Sequence, residues 1–203
     1  MQPLTLDDLL PLNEYAGRRH EFFESLSRYL DRYRRVRIGP LLTLFFENRQ
    51  TLWFRVQEIL RITRLSDPQR VGQELNLYNR LLPRRNHLHA SLVIATPDES
   101  TLSQPPDLWQ SLHGHALTMC IGHIRRPALL ITNRPEDLAI GTAHWVHFKL
   151  EAEDRRTLAN FGIPAHFEVA HREYQHVSQP LGEEVRQSLL EDLALSDRDE
   201  IAA

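Results

Sequence analysis

Residues 34–64, RRVRIGPLLTLFFENRQTLWFRVQEILRITR, decide how the chain is read. Val36 and Ile38 alternate with arginines, Gly39-Pro40 punctuates, and Leu41 to Phe46 resumes a β-prone run, which predicts strand, turn, strand. From near Thr51 the period changes. Leu52, Trp53, Val56, Ile59 and Leu60 recur at three- and four-residue steps, so a helix is predicted as far as Leu65, before Asp67-Pro68. Phe54, Ile62 and Leu65 form a second apolar group nearly opposite the first, as in a helix covered on both sides.

Polar residues inside such a helix need partners. Glu58 projects among the second apolar group, and desolvating an unpaired carboxylate is costly. Arg55 and Arg61, three residues before and after it, are within helical reach. Glu47 ends the preceding strand near the helix N-terminus, where unpaired N–H groups favour negative charge. Capping accounts for it, and the sharper alternative is a functional carboxylate near Gln57 and Glu58.

Upstream, Thr5-Leu6-Asp7-Asp8 reads as a capped helical start, and Asn13 as the cap of a helix from Glu14 to about Arg32. Tyr15, Phe22, Leu26, Tyr29 and Tyr33 give that helix one apolar face. Arg18, Arg28, Arg32 and Arg35 fall largely off it, as a solvated face or as a surface for an anion or acidic partner. Downstream, a helix from Gln69 to about Leu82 stops at Pro83, with Tyr78-Asn79 at its end. His87 to Thr96 reads as a strand and Pro97 to Pro106 as a loop. Ala116 to His123, Pro127 to Thr132, His144 to Leu150 and Ala165 to Ala170 have strand character. A short helix spans Asp154 to Phe161, and an amphipathic one spans Leu181 to Leu195 before a frayed acidic tail, Ser196 to Ala203.

Helices come mainly first and strands later, without regular alternation. That order favours an α+β fold, with N-terminal helices and a hairpin packed on a mostly antiparallel sheet. The 203 residues fit a single domain, helix-rich over 1–86, strand-rich over 87–180, with a C-terminal helix and acidic tail over 181–203. A net charge of −3 argues against a nucleic-acid or membrane footprint. Cys120 is the sole cysteine, which excludes an intramolecular disulfide and cysteine-rich zinc or iron–sulfur sites within one chain. With no basic leader and no apolar run near the roughly 20 residues of a membrane span, the expectation is a cytoplasmic protein. Lys149 is the only lysine, so the basic chemistry is arginine's fixed fork.

Histidines are the other candidates. On the strand HWVHFKL, His144 shares a face with Val146, Phe148 and Leu150, while His147 points the other way. The two are therefore no chelating pair. His87-x-His89 and His113-x-His115 would each put two imidazoles on one face, with no third ligand defined. His171 with Tyr174 serves either a site or a turn. Gly-rich phosphate loops, nucleophile elbows, HExxH and paired CxxC motifs do not occur, which disfavours the common nucleotide hydrolases, zincins and serine hydrolases.

RRVRIGPLLTLFFENRQTLWFRVQEILR, ELNLYNRLLP, HLHASLVI and AHWVHFKLE together resemble the bacterial family known as domain of unknown function three-five-zero-one, over nearly the whole chain. The block FEN-x-x-T-x-x-x-x-x-QE-x-x-R followed by YN-x-L-x-P carries most of the likeness. Matching polar positions are Arg34, Arg35, Glu47, Thr51, Gln57, Glu58, Arg61, Tyr78, Asn79 and His144, with His171 and Tyr174 in a His-x-x-Tyr feature. Family members are often encoded beside rubrerythrin-like proteins and iron–sulfur oxidoreductases. The resemblance thus implies an accessory role near peroxide defence, with a partner or small anionic ligand held by an Arg/Glu/Gln/His pocket. A metal-dependent enzyme using Glu47, Glu58, His144 and His171 on iron, manganese or zinc is the alternative, and a purely structural ion-pair network is the third. Where the family often carries a further Glu after QE-x-x-R, this chain has Ile62-Thr63-Arg64, one carboxylate fewer for such a metal.

Overall fold

The computed structural model describes residues 1–95, 114–131 and 143–201. Helix α1 (Leu12–Tyr29) runs through a π-helical turn, Leu30–Arg34, into β1 (Arg35–Ile38), and β2 (Leu42–Phe46) returns beside it. Then come α2 (Arg49–Thr63), α3 (Pro68–Asn79) and β3 (His87–Ile94). The strand-rich part holds β4 (Leu117–Ile121), β5 (Ile124–Pro127), β6 (Leu129–Ile131) and β7 (Ala143–Lys149). It continues with α4 (Ala152–Ala159), β8 (Ala165–His171), β9 (Tyr174–Val177) and α5 (Glu183–Ile201). The fold is α+β, with the helices mainly N-terminal. The loop read at Pro97 to Pro106, and His113, lie outside the described residues.

Local chemistry sets the element ends. Asn48 caps α2 by accepting from the Thr51 N–H at 3.0 Å, while the Thr51 hydroxyl accepts from the Asn48 N–H at 2.9 Å. The capping assigned to Glu47 therefore belongs to its neighbour. Asp67 caps α3 through the Arg70 N–H at 2.9 Å, with Pro68 opening the helix. At the β1–β2 turn Gly39 has φ +65°, and a Cβ there would lie 2.6 Å from the Tyr174 hydroxyl. That hydroxyl donates to the Ile38 carbonyl at 2.6 Å and accepts from the Leu41 N–H at 3.1 Å. Tyr174 thus serves a turn, and His171 faces it across the β8–β9 hairpin.

All described strand pairs are antiparallel, and they form two sheets, ordered β1-β2-β3-β7-β6 and β5-β4-β8-β9. The predicted strand from Pro127 divides between them. Pro127 has no N–H to continue the β5 ladder, and the buried Ala128 turns the chain so that Leu129–Ile131 joins β7 instead.

Alternation along the strands builds the main core between the sheets, where Leu44, Phe46, Leu92 and Phe148 meet Met119, Ile121, Phe167 and Val169. The opposite face of the first sheet is covered by α2 and α3, which bury Leu52, Val56, Leu60, Val71 and Leu75 with Trp145 of β7. One face of α2 is thus sealed. The second is only partly covered, by α1, and leaves Ile62 64% exposed.

Candidate functional site

Helices α1 and α2 lie together through aromatic rings. Tyr15 stacks on Phe22 at 5.7 Å between centroids and meets Trp53 and Phe54 edge-on at 6.0 and 6.3 Å. Beside this contact, over β2 and β3, is a cleft of about 420 Å³. Its walls include Phe23, Leu26, Phe45, Phe54, Ile62 and Val93, and its polar groups are Thr51, Arg55, Glu58 and Tyr78. The second apolar group of α2 supplies one side of this cleft through Phe54 and Ile62, while α1 supplies Phe23, Leu26 and Leu30, of which only Leu26 belongs to the apolar face expected from the sequence.

Glu58 is held from three directions. The Tyr15 hydroxyl donates to Oε1 at 2.9 Å, and Arg19 grips both oxygens, at 2.9 Å from Nε and 2.8 Å from Nη2. Arg61 adds bonds of 3.0 and 3.2 Å. Burial alone would push the carboxyl up, but the bonds from Arg19, Arg61 and Tyr15 outweigh it and hold the group at about 2. Burial and the neighbouring carboxylate push the Tyr15 phenol upward in turn. Of the two arginines the helix spacing offered, only Arg61 serves Glu58; the second comes from α1.

Arg55 turns inward to Glu47. It meets Oε1 at 2.7 Å and donates to the Ser91 hydroxyl at 2.7 Å, and Ser91 itself donates to Oε1 at 2.9 Å. The Thr51 hydroxyl donates to Oε2 at 2.5 Å, and the Trp145 ring lies 5.2 Å under the Arg55 guanidinium. Glu47 has no side-chain exposure, so these partners are what make a charge there tolerable. The network continues. Asn48 donates to the Tyr29 hydroxyl at 2.8 Å, Arg34 donates to the same oxygen at 2.9 Å, and Arg34 pairs with Asp192 of α5 in an almost fully buried bridge. A polar chain therefore crosses the molecule from α5 to β7 under the N-terminus of α2.

Other predicted site residues lie elsewhere. Gln57 is fully buried, a step of about 100° around α2 from Glu58, where its amide reaches the Leu10 carbonyl at 3.5 Å and, among the described residues, its Oε1 has no partner. Asn79 pins the N-terminal segment, bonding the Leu4 N–H and C=O at 2.8 and 2.9 Å. Arg35 pairs with Asp31 and lies over Phe45, 5.0 Å from its centroid. His144 pairs with Leu92 in the ladder, one step off the Ser91–Trp145 row, and its side chain lies outside the described residues. His171 belongs to the second sheet.

His87 and His89 do share a face, and β7 brings His147 to them, with ring centroids 5.5 and 5.6 Å away. Burial is the main force lowering His89, to about 4, with the neighbouring His147 adding to it. His147 is lowered as well, again chiefly by burial. Among the described residues, the buried Nδ1 of His89 has no hydrogen-bond partner.

Among the described residues, three potential metal ligands converge with their donor atoms within 4.8 Å at Cys120, His166 and Glu168. Glu47, Glu58 and His171 form no such group, since each carboxylate is already occupied by its own partners. Of the residues missed in the sequence, Arg19 meets Glu58, and Cys120 meets His166 and Glu168, only through tertiary contact. The His-x-Glu alternation at 166–168 was the one local signal available.

A family described as "Protein of unknown function (DUF3501)" matches residues 3–193. Among solved structures, a novel protein of unknown function from Burkholderia pseudomallei K96243 is similar, with a TM-score of 0.82 and 25% identity. The alignment covers 95% of this chain and 100% of that one. No curated protein matches the chain.

Proposed function

The chain belongs to the DUF3501 family, and we propose that it is a binding protein that seats a small amphipathic anion, a carboxylate on an apolar body, in the cleft between α1 and α2. The observation that carries this reading is the charge count at Glu58. One carboxylate takes two guanidinium groups, Arg19 and Arg61, whereas Arg55 and Glu47 balance each other. A cationic surplus therefore stands at the edge of an apolar cleft. Arg19 and Arg61 keep 41% and 34% of their side chains exposed, and Arg19 lies 5.8 Å from the ring centroid of Phe23, a cleft wall.

A fixed guanidinium fork recognises a carboxylate with directed hydrogen bonds, and the aromatic walls supply the apolar contact that a free inorganic anion lacks. Of the two ligand classes raised from the sequence, partner or small anion, the cleft volume suits the small one. The pocket combines arginine, glutamate and aromatic rings.

The test is a matched pair of probes, naphthalene-1-acetate and naphthalene-1-acetamide, followed by NMR. The acetate should shift resonances of Phe23, Phe45 and Phe54 saturably, and the neutral amide should do so about tenfold more weakly, as for loss of one charged hydrogen bond. Equal binding of the two, or shifts confined to other surfaces, would refute the reading.

A further inference from the structure

We propose that the outer face of the second sheet binds a divalent transition metal through the Cys120 thiolate, a His166 imidazole nitrogen and a Glu168 carboxylate oxygen. The strand register makes the site. In the β4–β8 pair Cys120 stands directly opposite His166, and Glu168, two residues further along β8, projects from the same face. The residues between them, Met119, Ile121, Phe167 and Val169, are locked in the core between the sheets, so the outward row is positioned by the best-packed part of the molecule.

The donor atoms already approach the spacing a metal requires. All three lie within 4.8 Å of one another, and His166 Nε2 is 3.1 Å from a Glu168 oxygen. Tetrahedral zinc with ligands at its usual bond lengths separates nitrogen and oxygen donors by about 3.3 Å. Cys120 is buried, while His166 and Glu168 keep 25% and 29% of their side chains exposed, which leaves a solvent-facing position for a water or an exchanging ligand. The group nearest to a competitor is Arg125, opposite Cys120 on β5, which meets Glu168. Its side chain is 60% exposed and can leave for solvent when a cation arrives.

One sulfur, one nitrogen and one oxygen donor form a set of intermediate softness, suited to zinc or ferrous iron and unsuited to magnesium or calcium. Coordination replaces the Cys120 S–H bond with an S–metal bond, and the proton is released to solvent. Three protein ligands with an open fourth position correspond to catalytic or exchange sites; closed four-ligand sites are the structural type.

The experiment uses the full chain, stripped with chelator and titrated with Co²⁺ as an optical probe, then with Zn²⁺ in competition. The expected result is one equivalent of Co²⁺ bound, with a near-ultraviolet sulfur-to-cobalt charge-transfer band that Zn²⁺ abolishes. Cys120→Ser should remove the band, and His166→Ala and Glu168→Gln should each weaken binding by roughly 10- to 100-fold. Circular dichroism of each variant separates ligand loss from unfolding, and His166→Ala and Glu168→Gln, on the half-exposed positions, carry the test if Cys120→Ser does not fold. His87→Gln should leave the titration unchanged. Absence of binding, binding without the band, a band that survives in Cys120→Ser, indifference to both His166→Ala and Glu168→Gln, or loss of the band in His87→Gln would each overturn the proposal.

Discussion

The helix-covered face of the first sheet and the outer face of the second carry similar residue types and use them differently. Under α2, Glu47 is sealed and fully partnered by Thr51, Ser91 and Arg55, and its neighbour Glu58 is gripped by two arginines and a tyrosine. There the charges are parts of the fold, and what is left for a ligand is the surplus cation. On the outer row of the second sheet, Cys120, His166 and Glu168 converge, with the exposed Arg125 as a charged competitor. Packing fixes the row from behind, but little compensates it from the front. The contrast separates polar residues that build from polar residues that are available.

Removal of Glu47 should break this contrast most severely. Glu47→Ala leaves Arg55 facing Ser91 and the Trp145 ring without its anion, so stability should fall by about 3–5 kcal/mol in chemical denaturation, the range for a broken buried pair. A loss below about 1 kcal/mol would place Glu47 with the surface ion pairs.

Acidification comes next. His89 has its folded pKa lowered to about 4 from 6.5, so the unfolded chain binds more protons in between. Its contribution is whole above pH 6.5 and is lost as pH falls toward 4, by about 3 kcal/mol across that window. His89→Gln should flatten that part of the stability profile. An unchanged slope between those values would mean that His89 titrates normally.

Glu58 should matter less than Glu47 despite its two guanidinium partners, because solvent reaches the cluster. Glu58→Ala should cost roughly 1–2 kcal/mol after allowance for screening. Its folded pKa lies below the ordinary value, so its contribution holds above pH 4.5 and fades as pH falls toward about 2. A cost equal to that of Glu47→Ala, measured side by side, would erase the distinction between sealed and solvent-lapped carboxylate. Smallest of all, Glu168→Gln should change stability by no more than about 0.5 kcal/mol, as at other half-exposed positions.

Much of the helix-covered face was legible in the sequence because its signals are local. The period of α2, the Gly39-Pro40 turn and the Asp67-Pro68 start are all written within a few residues. The α2 cap is equally local, in Asn48-x-x-Thr51, although Glu47 beside it offers a competing acidic candidate in the sequence. Partner choice was not legible. Arg19 reaches Glu58 from 39 positions away, and Arg55, spaced correctly for Glu58, turns to Glu47 because Trp145 and Ser91 of the sheet below receive it. Helical spacing offers candidates, and tertiary packing selects among them. The second sheet was hidden for a related reason: one proline and one buried alanine send adjacent strands to different sheets, and no periodicity distinguishes β5 from β6.

The central claim, that the Glu58 cleft selects an amphipathic anion through its surplus arginine, is tested most directly by calorimetric titration of naphthalene-1-acetate and its amide into the wild type and into Arg61→Gln. The account predicts that the wild type prefers the acetate by about tenfold and that the preference disappears in Arg61→Gln while the amide's affinity is unchanged. A preference that persists in Arg61→Gln, or none in the wild type, would contradict it.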